Sequence, residues 1–144
     1  CIRDSLSWYK PFTHQHLAEI KETLSALGAD TNFYFLPQRG AFTRGIFATV
    51  YTDFEGSLEE ANALYEQFYD AHPFTQIATR PLHLKQVVNS NFCFLHLHQH
   101  ENKLLITCII DNLIKGASGQ AIQNLNLIMG WEEDLGLRLK ASTF

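Results

Sequence analysis

Residues 111–130 limit the possible folds of this chain more than any other part of its sequence. They follow an apolar run at residues 104–110, which is typical of a buried strand, and they open with turn-forming Asn112 and Gly116. Apolar residues then recur with a period of 3.6, which predicts an amphipathic helix with Ala121, Ile122, Leu125, Ile128 and Met129 on one face and Gln120, Gln123 and Asn124 on another. Gly130 stands where a left-handed C-cap is expected.

The start of this helix is almost without side chains, because residues 116–119 are Gly, Ala, Ser and Gly. Small residues let another backbone or a ligand approach closely. The free N–H groups at a helix N-terminus also favour a phosphate or a carboxylate. Two interpretations stay open here: a ligand-binding helix start, or glycines that simply begin a helix.

Three segments of the chain carry recognisable motifs. Residues 111–127 read Asp-Asn-Leu-Ile-Lys-Gly-Ala-Ser-Gly-Gln-Ala-Ile-Gln-Asn-Leu-Asn-Leu, and Gly-Trp-Glu-Glu-Asp-Leu-Gly-Leu follows at 130–137. Residues 12–20 contain His14, His16 and Glu19, and residues 43–50 read Thr-Arg-Gly-Ile-Phe-Ala-Thr-Val. In this order and with this spacing, the three resemble the C-terminal signature, the His-Arg-His-x-Pro-Glu-Ile segment and the Arg-Gly-Ile/Met-Leu-Ala-Thr strand of N-acetyl-gamma-glutamyl-phosphate reductases.

The resemblance covers only the second domain of that family. Neither a Gly-x-Gly-x-x-Gly motif nor the family's Gly-Cys-Tyr-Pro-Thr-like catalytic motif occurs in the sequence, which begins at Cys1 without a methionine. Cys1 falls near a non-catalytic cysteine of some relatives. We therefore expect residues 1–144 to be a fragment of a longer protein, inactive alone: a single substrate-binding and dimerisation domain in which residues 112–144 pack against a missing NADP-binding domain.

Composition excludes several other classes of protein. A chain of 144 residues that is 46% hydrophobic and 18% charged is large and apolar enough for a folded core. A net charge of −4 gives no basic surface for nucleic acid, and no apolar run approaches the roughly 20 residues that span a bilayer. Three sparse cysteines without metal-ligand spacing favour a reducing compartment, and we expect a cytoplasmic protein.

Strand and helix patterns alternate along the chain. Strands are predicted at residues 5–12, 32–36, 45–53, 74–78, 92–98 and 103–110, the last two as a hairpin. One helix is predicted from an N-cap at Thr13 to Gly28, and a second follows the capping box of Ser57 and Glu60 and ends near Ala71, with Leu58, Ala61, Leu64, Tyr65 and Phe68 buried. This predicts an α+β fold, a mixed or antiparallel sheet with helices on one face. The resemblance implies the same fold, that of the C-terminal domain of glyceraldehyde-3-phosphate-dehydrogenase-like enzymes.

His14 and His16 are the candidate catalytic residues. From the sequence alone, one of them caps a helix and the other is solvated. The resemblance instead implies that one serves as general acid or base beside an acyl group held on a cysteine elsewhere. Gln15 and Ala18 depart from the family's Arg and Pro. Glu19 is either an orienting partner for an imidazole or part of a solvated helix face.

Arg44 and Arg39 are the candidate substrate-binding residues. The resemblance implies a substrate with a carboxylate and an acyl phosphate, and arginine binds both in bidentate fashion. The alternative for Arg44 is a surface ion pair. We expect the paired imidazoles and Arg44 to serve one catalytic cleft.

The turn after residue 110 supplies the candidate cofactor-binding residues. By resemblance, Asn112 hydrogen-bonds the nicotinamide carboxamide of NADP, and Gly116 and Gly119 permit its close approach. Lys115 either meets a phosphate or is a solvated lysine at a helix start.

Three further histidines, His96, His98 and His100, alternate along one predicted strand. They either form the wet face of a hairpin, or a zinc or nickel site that lacks an acid or cysteine to support it. We favour the wet face and predict no metal. In oligomeric relatives this face meets another subunit, so an interface is a further possibility.

Together these observations predict part of an NADPH-dependent reductase that converts N-acetyl-gamma-glutamyl phosphate to N-acetylglutamate 5-semialdehyde in arginine biosynthesis, as a homo-oligomer. Two alternatives stay open at this point: the aminoadipyl-phosphate homologue of lysine biosynthesis, and a non-catalytic binding or assembly module.

Overall fold

The computed structural model of the chain describes residues 6–29 and 31–142. Backbone proximity divides the chain into two compact units, Cys1–Thr43 and Arg44–Phe144. The described residues include no helix that is both long and apolar enough to cross a membrane.

The first unit contains one helix and a minimal strand pair. Strand β1 (Ser7–Trp8) pairs antiparallel with β2 (Gln38–Arg39), and helix α1 runs from His16 to Ala26. The predicted strand at residues 5–12 is therefore wrong beyond two residues, because Lys10 and Phe12 adopt positive φ angles that end it; Ser5 lies outside the described residues. No strand forms at residues 32–36.

Helix α1 also begins later than predicted. Thr13 does not cap it, because the Thr13 N–H donates to the Lys10 carbonyl and the Leu17 N–H donates to the His14 carbonyl. Residues 10–15 therefore form turns ahead of the helix, and Gln15 occupies the N-cap position without a side-chain hydrogen bond. Gly28 follows the helix with a φ of 76°, which agrees with the predicted end.

The second unit is built on a four-stranded mixed sheet. Strands β3 (Ile46–Asp53), β4 (Thr75–Ile77), β5 (Cys93–His100) and β6 (Lys103–Ile110) lie in the order β3-β6-β5-β4. The pairs β3–β6 and β5–β6 are antiparallel, whereas β4 and β5 are parallel. The predicted α+β fold is confirmed, and so is the predicted hairpin, although its strands extend to His100 and leave only Glu101 and Asn102 in the turn.

Helix α2 (Leu58–Tyr69) covers one face of this sheet and closes the core. Ser57 and Glu60 form the predicted capping box. The buried cluster beneath the helix is Ala61, Leu95, Leu97, Leu104 and Ile106, and Leu58, Tyr65 and Tyr69 pack against it. The predicted burial of Leu64 and Phe68 is wrong, since they are 57% and 69% exposed. They lie on the flank of the narrow stripe that faces the sheet, because the contacting residues recur at spacings of three and four.

A π-helical turn connects the sheet to the last helix. This turn spans Ile114–Ser118, and helix α3 follows over Gly119–Met129 with Gly130 as the predicted left-handed C-cap (φ 67°). Within the unit, α3 buries Gly119 and Asn126 and half-buries Gln123. Its apolar face stays exposed: Ile122, Leu125, Ile128 and Met129 are between 44% and 81% accessible. The period was predicted from the sequence, but the face that turns inward is the polar one.

Candidate functional site

A fully buried carboxylate organises the point where β6 leads into the π-helical turn. Asp111 Oδ1 accepts hydrogen bonds from Arg44 Nη2 (3.0 Å) and from the backbone N–H groups of Leu113 (2.8 Å) and Ile114 (2.9 Å). Its Oδ2 accepts from the Asn89 N–H at 2.7 Å. Four donors therefore converge on one buried acid, which fixes the turn and Arg44 together.

These donors keep Asp111 ionised. Burial acts to raise the pKa of its carboxyl group, but the hydrogen bonds from Asn89, Arg44, Ile114 and Leu113 outweigh burial and hold that pKa below its ordinary value. Arg44 is thus part of an ion pair with a buried partner, and its side chain is 22% exposed. The surface ion pair considered for Arg44 is excluded. The Arg44 Nε is buried and has no hydrogen-bond partner within the described residues.

Asn112 ties the same turn to the start of β3. Its Oδ1 accepts a hydrogen bond from the Gly45 N–H at 2.8 Å. Gly45 has a φ of 108°, a conformation that favours glycine, and a Cβ there would also lie 2.8 Å from the end of the Leu84 side chain, which would have to move. The Arg44-Gly45 pair is therefore held at two adjacent points by Asp111 and Asn112.

Lys115 is half-buried and engaged rather than solvated. Its Nζ donates to Gln123 Oε1 at 2.7 Å and lies 5.7 Å from the centre of the Phe74 ring. Burial lowers the pKa of this ammonium group, while the nearby Cys93 and Glu133 act in the opposite direction. Gln123 in turn donates to Glu133 Oε1 at 2.6 Å. The solvated lysine considered from the sequence is excluded.

Different contacts explain the glycines at positions 116 and 119. A Cβ on Gly119 would lie 2.3 Å from Asn91 Oδ1 and 2.8 Å from Ile114, so packing inside the unit explains this glycine. A Cβ on Gly116 would meet only ordinary contacts at 3.5 Å. Close approach of a ligand therefore remains an explanation for Gly116, whereas Gly119 needs none.

The candidate histidines lie in the first unit within an aromatic group. The rings of His14 and His16 are 4.5 Å apart, and His14 is 5.4 Å from both Tyr9 and Phe35. His14 Nδ1 accepts the His16 backbone N–H at 3.2 Å. Desolvation, followed by the charges of His16 and Lys10, lowers the pKa of His14, with Glu19 opposing. A neutral His14 ring therefore carries its proton on Nε2.

Arg39 and Glu19 belong to the same region of the first unit. The Arg39 guanidinium carbon lies 3.7 Å from the centre of the Tyr9 ring, which is a close cation–π contact. His14 and Arg39 therefore share Tyr9 as a neighbour. Glu19 is exposed, and among the described residues its carboxylate forms no hydrogen bond to either imidazole.

The histidines of β5 are not gathered into a metal site. His96 pairs with Thr107, His98 with Leu105 and His100 with Lys103 across the hairpin. His98 and His100 are exposed, while Leu95 and Leu97 on the opposite face are buried, as predicted. Across residues 6–29 and 31–142, no cluster of three or more His, Cys, Asp or Glu residues suited to a metal ion is present.

Sequence reasoning missed the residues on which this site depends most. The motif begins at Asp111 but assigns this residue no role, although an acid directly after a buried strand and before an asparagine is a usable signal. Asn91 is fully buried and donates to Gln123 Oε1 at 3.3 Å, whereas the sequence places Gln123 only on the polar face of the helix. Nothing in the local pattern distinguishes a buried Asn or Gln from an exposed one.

Comparison with protein-family models shows the family of this chain. Residues 1–112 match the family model described as "Semialdehyde dehydrogenase, dimerisation domain". The chain belongs to the semialdehyde dehydrogenase dimerisation-domain family. The matched region of this family member includes both histidines, both arginines and Asn112, and it ends just before the π-helical turn.

Several curated relatives are also similar to this family member. Proteins named N-acetyl-gamma-glutamyl-phosphate reductase from Parabacteroides distasonis and Christiangramia forsetii are each 54% identical over 143 residues, and one from Flavobacterium johnsoniae is 52% identical over 143 residues. In each case the match covers 98% of this chain and 44% of the relative. The chain therefore spans less than half the length of these relatives.

Proposed function

We propose that the chain forms the substrate-binding and oligomerisation part of an NADPH-dependent reductase that converts N-acetyl-gamma-glutamyl phosphate to N-acetylglutamate 5-semialdehyde in the cytoplasm. The observation that carries this proposal is identity of about half the residues, over 98% of the chain, to relatives that bear the reductase name. The match to the dimerisation-domain family supports the oligomer. The cysteine nucleophile and the nucleotide-binding region are assigned to the part of the relatives that this chain does not match.

His14 is proposed to donate a hydrogen bond to the substrate, and His16 to transfer the proton. With Nδ1 of His14 accepting the His16 N–H, the neutral ring offers Nε2–H to an oxygen that gains negative charge during acyl reduction. The lowered pKa of His14 keeps that ring neutral near pH 7. The ring of His16 is exposed and remains available as the acid or base.

Arg44 is proposed to bind an anionic group of the substrate. Asp111 already holds one edge of the guanidinium, so little side-chain entropy is lost when the remaining N–H groups bind an oxyanion. The unpartnered Nε supports this role, since a buried donor without an acceptor is unfavourable. Arg39, fixed over Tyr9, is proposed as a second anion contact.

The residues present fit a nicotinamide cofactor at two positions. Asn112 uses Oδ1 for Gly45, which leaves its amide N–H₂ as the donor for a carboxamide oxygen, and Gly116 has room around its Cα. Internal contacts occupy Lys115 and Gly119, so they are proposed to orient the turn rather than to touch the cofactor. NADPH, when bound, supplies the hydride.

Steady-state kinetics of the full-length protein test the proposal. Activity is measured as NADP⁺ reduction with N-acetylglutamate 5-semialdehyde and phosphate, the reverse direction. We expect His16→Gln to lower kcat by about 10²–10⁴-fold, with a smaller change in KM. Arg44→Lys should chiefly raise KM for the substrate. His98→Gln, an exposed histidine on β5, is the matched control.

Three outcomes would overturn the assignment. In the first, the wild-type protein turns over the aminoadipyl homologue but does not turn over this substrate. In the second, the His16→Gln enzyme is as fast as the His98→Gln control. The third is activity of residues 1–144 expressed alone, because the proposal assigns the cysteine and the nucleotide site to other residues.

A further inference from the structure

Two cysteines that the proposed reaction does not use face each other across the hairpin. Cys93 lies on β5 opposite Ile110, and Cys108 lies on β6 opposite Leu95, so the two are diagonal neighbours on the sheet face covered by α2. Their sulfur atoms are 3.5 Å apart, and both side chains are half-buried. A disulfide requires a sulfur–sulfur distance of about 2.0 Å, so a short approach of the two side chains is enough to form one.

The surroundings make the two thiols unequal. A hydrogen bond from Cys108 lowers the pKa of Cys93, although burial opposes the shift, and the nearby Lys115 ammonium adds to it. The same hydrogen bond, together with burial, raises the pKa of Cys108. Cys93 is therefore the better nucleophile, and Cys108 is the protonated partner at contact distance.

We propose that Cys93 and Cys108 form a redox-modification site that hydrogen peroxide, or a peroxide of similar size, converts to an intramolecular disulfide. The Cys93 thiolate attacks one peroxide oxygen, which breaks the O–O bond, forms the sulfenic acid and releases hydroxide. The Cys108 sulfur then attacks the Cys93 sulfur, which forms the S–S bond and breaks the S–O bond. The Cys108 proton leaves with the departing oxygen as water. The two sulfurs together lose two electrons, and the peroxide gains them.

This site is independent of the proposed reaction. Cytoplasmic disulfides are usually transient and redox-sensing, and a nucleophilic cysteine with an adjacent resolving cysteine is the typical arrangement. A disulfide between β5 and β6 would lie next to Lys115. The Lys115 ammonium group in turn hydrogen-bonds Gln123 on α3. Oxidation removes the Cys93 thiolate that stabilises the Lys115 charge.

Peptide mapping of the full-length protein tests the proposal. The protein is treated with a small excess of hydrogen peroxide, alkylated and digested with trypsin without reduction. Cleavage after Lys103 separates Cys93, in residues 86–103, from Cys108, in residues 104–115. We expect these two peptides as one species lighter by two hydrogens than their sum, which dithiothreitol separates again. Recovery of both peptides fully alkylated would overturn the proposal.

Variants distinguish the two cysteines and exclude other pairings. In Cys108→Ser, Cys93 should stop at the sulfenic acid and form an adduct with dimedone. In Cys93→Ser, Cys108 should stay reduced under the same treatment. Cys1→Ser is the control and should leave the disulfide-linked 93–108 species unchanged.

Three results would contradict the assignment. Dimedone labelling of Cys93 in the wild type at the level seen in Cys108→Ser would show that Cys108 does not resolve the sulfenic acid. A cross-link that requires Cys1 would show a different pairing. Equal dimedone labelling of either cysteine when the other is replaced would contradict the assigned order.

Discussion

Helices α2 and α3 have nearly the same length and equally clear amphipathic patterns, but α2 buries its apolar face and α3 buries its polar face. Helix α2 packs Leu58, Ala61 and Tyr65 onto the sheet. Helix α3 turns Gln123 and Asn126 inward and leaves Ile128, 81% exposed, on the outside. The hydrophobic pattern therefore predicts where a helix forms, but not whether its apolar face packs inside the same unit.

The difference lies in what each helix has beneath it. Under α2 the sheet presents apolar residues, so burial of apolar area stabilises the contact. Under α3 the chain presents carbonyl groups of the following segment, and Asn126 Nδ2 donates to those of Glu133 (3.1 Å) and Leu135 (3.0 Å). A polar face fits these acceptors, which leaves the apolar face of α3 for a contact outside this unit. The packing of residues 112–144 on a nucleotide-binding domain, which the sequence predicts, would supply such a contact and stays a prediction.

The largest effect on stability is expected at Asp111, which holds the turn that carries α3. Asp111→Ala leaves Arg44 without its carboxylate and three backbone N–H groups without an acceptor. We expect a loss of roughly 3–5 kcal/mol in the free energy of unfolding, measured by urea titration. A loss below about 1 kcal/mol would mean that water replaces the carboxylate and that the hydrogen bonds to Asp111 do not support the turn.

The same carboxylate predicts a pH dependence with a defined sign. Because the pKa of Asp111 is lowered on folding, its contribution is complete above the ordinary Asp pKa near 4 and is lost as pH falls through the lower folded value. Hydrogen exchange should therefore show α3 losing protection before α2 as pH falls below 4. In Asp111→Asn, which cannot ionise, this pH dependence of α3 protection should disappear.

The next largest effect is expected in the core under α2. Leu97→Ala removes a side chain that is 4% exposed and should cost about 2–5 kcal/mol. The matched change on α3, Ile128→Ala, should alter the unfolding free energy of this unit by less than about 0.5 kcal/mol. Equal losses at the two positions, both measured by urea titration, would remove the contrast between the helices.

A smaller effect is expected from alanine at the start of α3. In Gly119→Ala the new Cβ lies 2.3 Å from Asn91 Oδ1, and this overpacking should cost about 2 kcal/mol. Gly116→Ala meets only ordinary contacts and should be close to neutral in thermal unfolding. If Gly116→Ala leaves stability unchanged but raises KM for NADPH in the full-length protein, close approach of the cofactor explains that glycine.

The smallest effect is expected from Asn126→Leu on the inward face of α3. The change keeps the side-chain size but leaves the Glu133 and Leu135 carbonyls without their donor, at a cost of about 1–2 kcal/mol by thermal unfolding. Asn124→Leu, at an exposed position of the same helix, is the control. A more stable Asn126→Leu protein would show that polar contacts do not set the orientation of α3.

The sequence predicted the parts of the fold that local patterns determine. The capping box at Ser57, the hairpin, the C-cap at Gly130 and the α+β class are all confirmed. The first unit was predicted less well, because positive φ angles at Lys10 and Phe12 break a strand that composition alone favours. Strand propensity reports how a side chain fits a sheet, and it does not record a turn imposed from elsewhere.

The candidate site shows the same division. Motif resemblance selected Arg44, Asn112 and the glycines, and unit 2 brings Arg44 and Asn112 together around Asp111 and Gly45. Their catalytic and binding roles stay predictions. The buried Asp111 and Asn91 and the half-buried Gln123 were not predicted, because a hydrogen-bond network joins residues from distant parts of the chain and leaves no local period.

The π-helical turn at Ile114–Ser118 has a consequence for the direction in which α3 points its side chains. In this turn the Gly116 and Ser118 N–H groups donate five residues back, to the Asp111 and Leu113 carbonyls. One residue more than an α-helical turn rotates everything that follows by about 100°. Removing a single residue here would rotate Asn126 away from its acceptors. The extra residue therefore determines which face of the last helix turns inward.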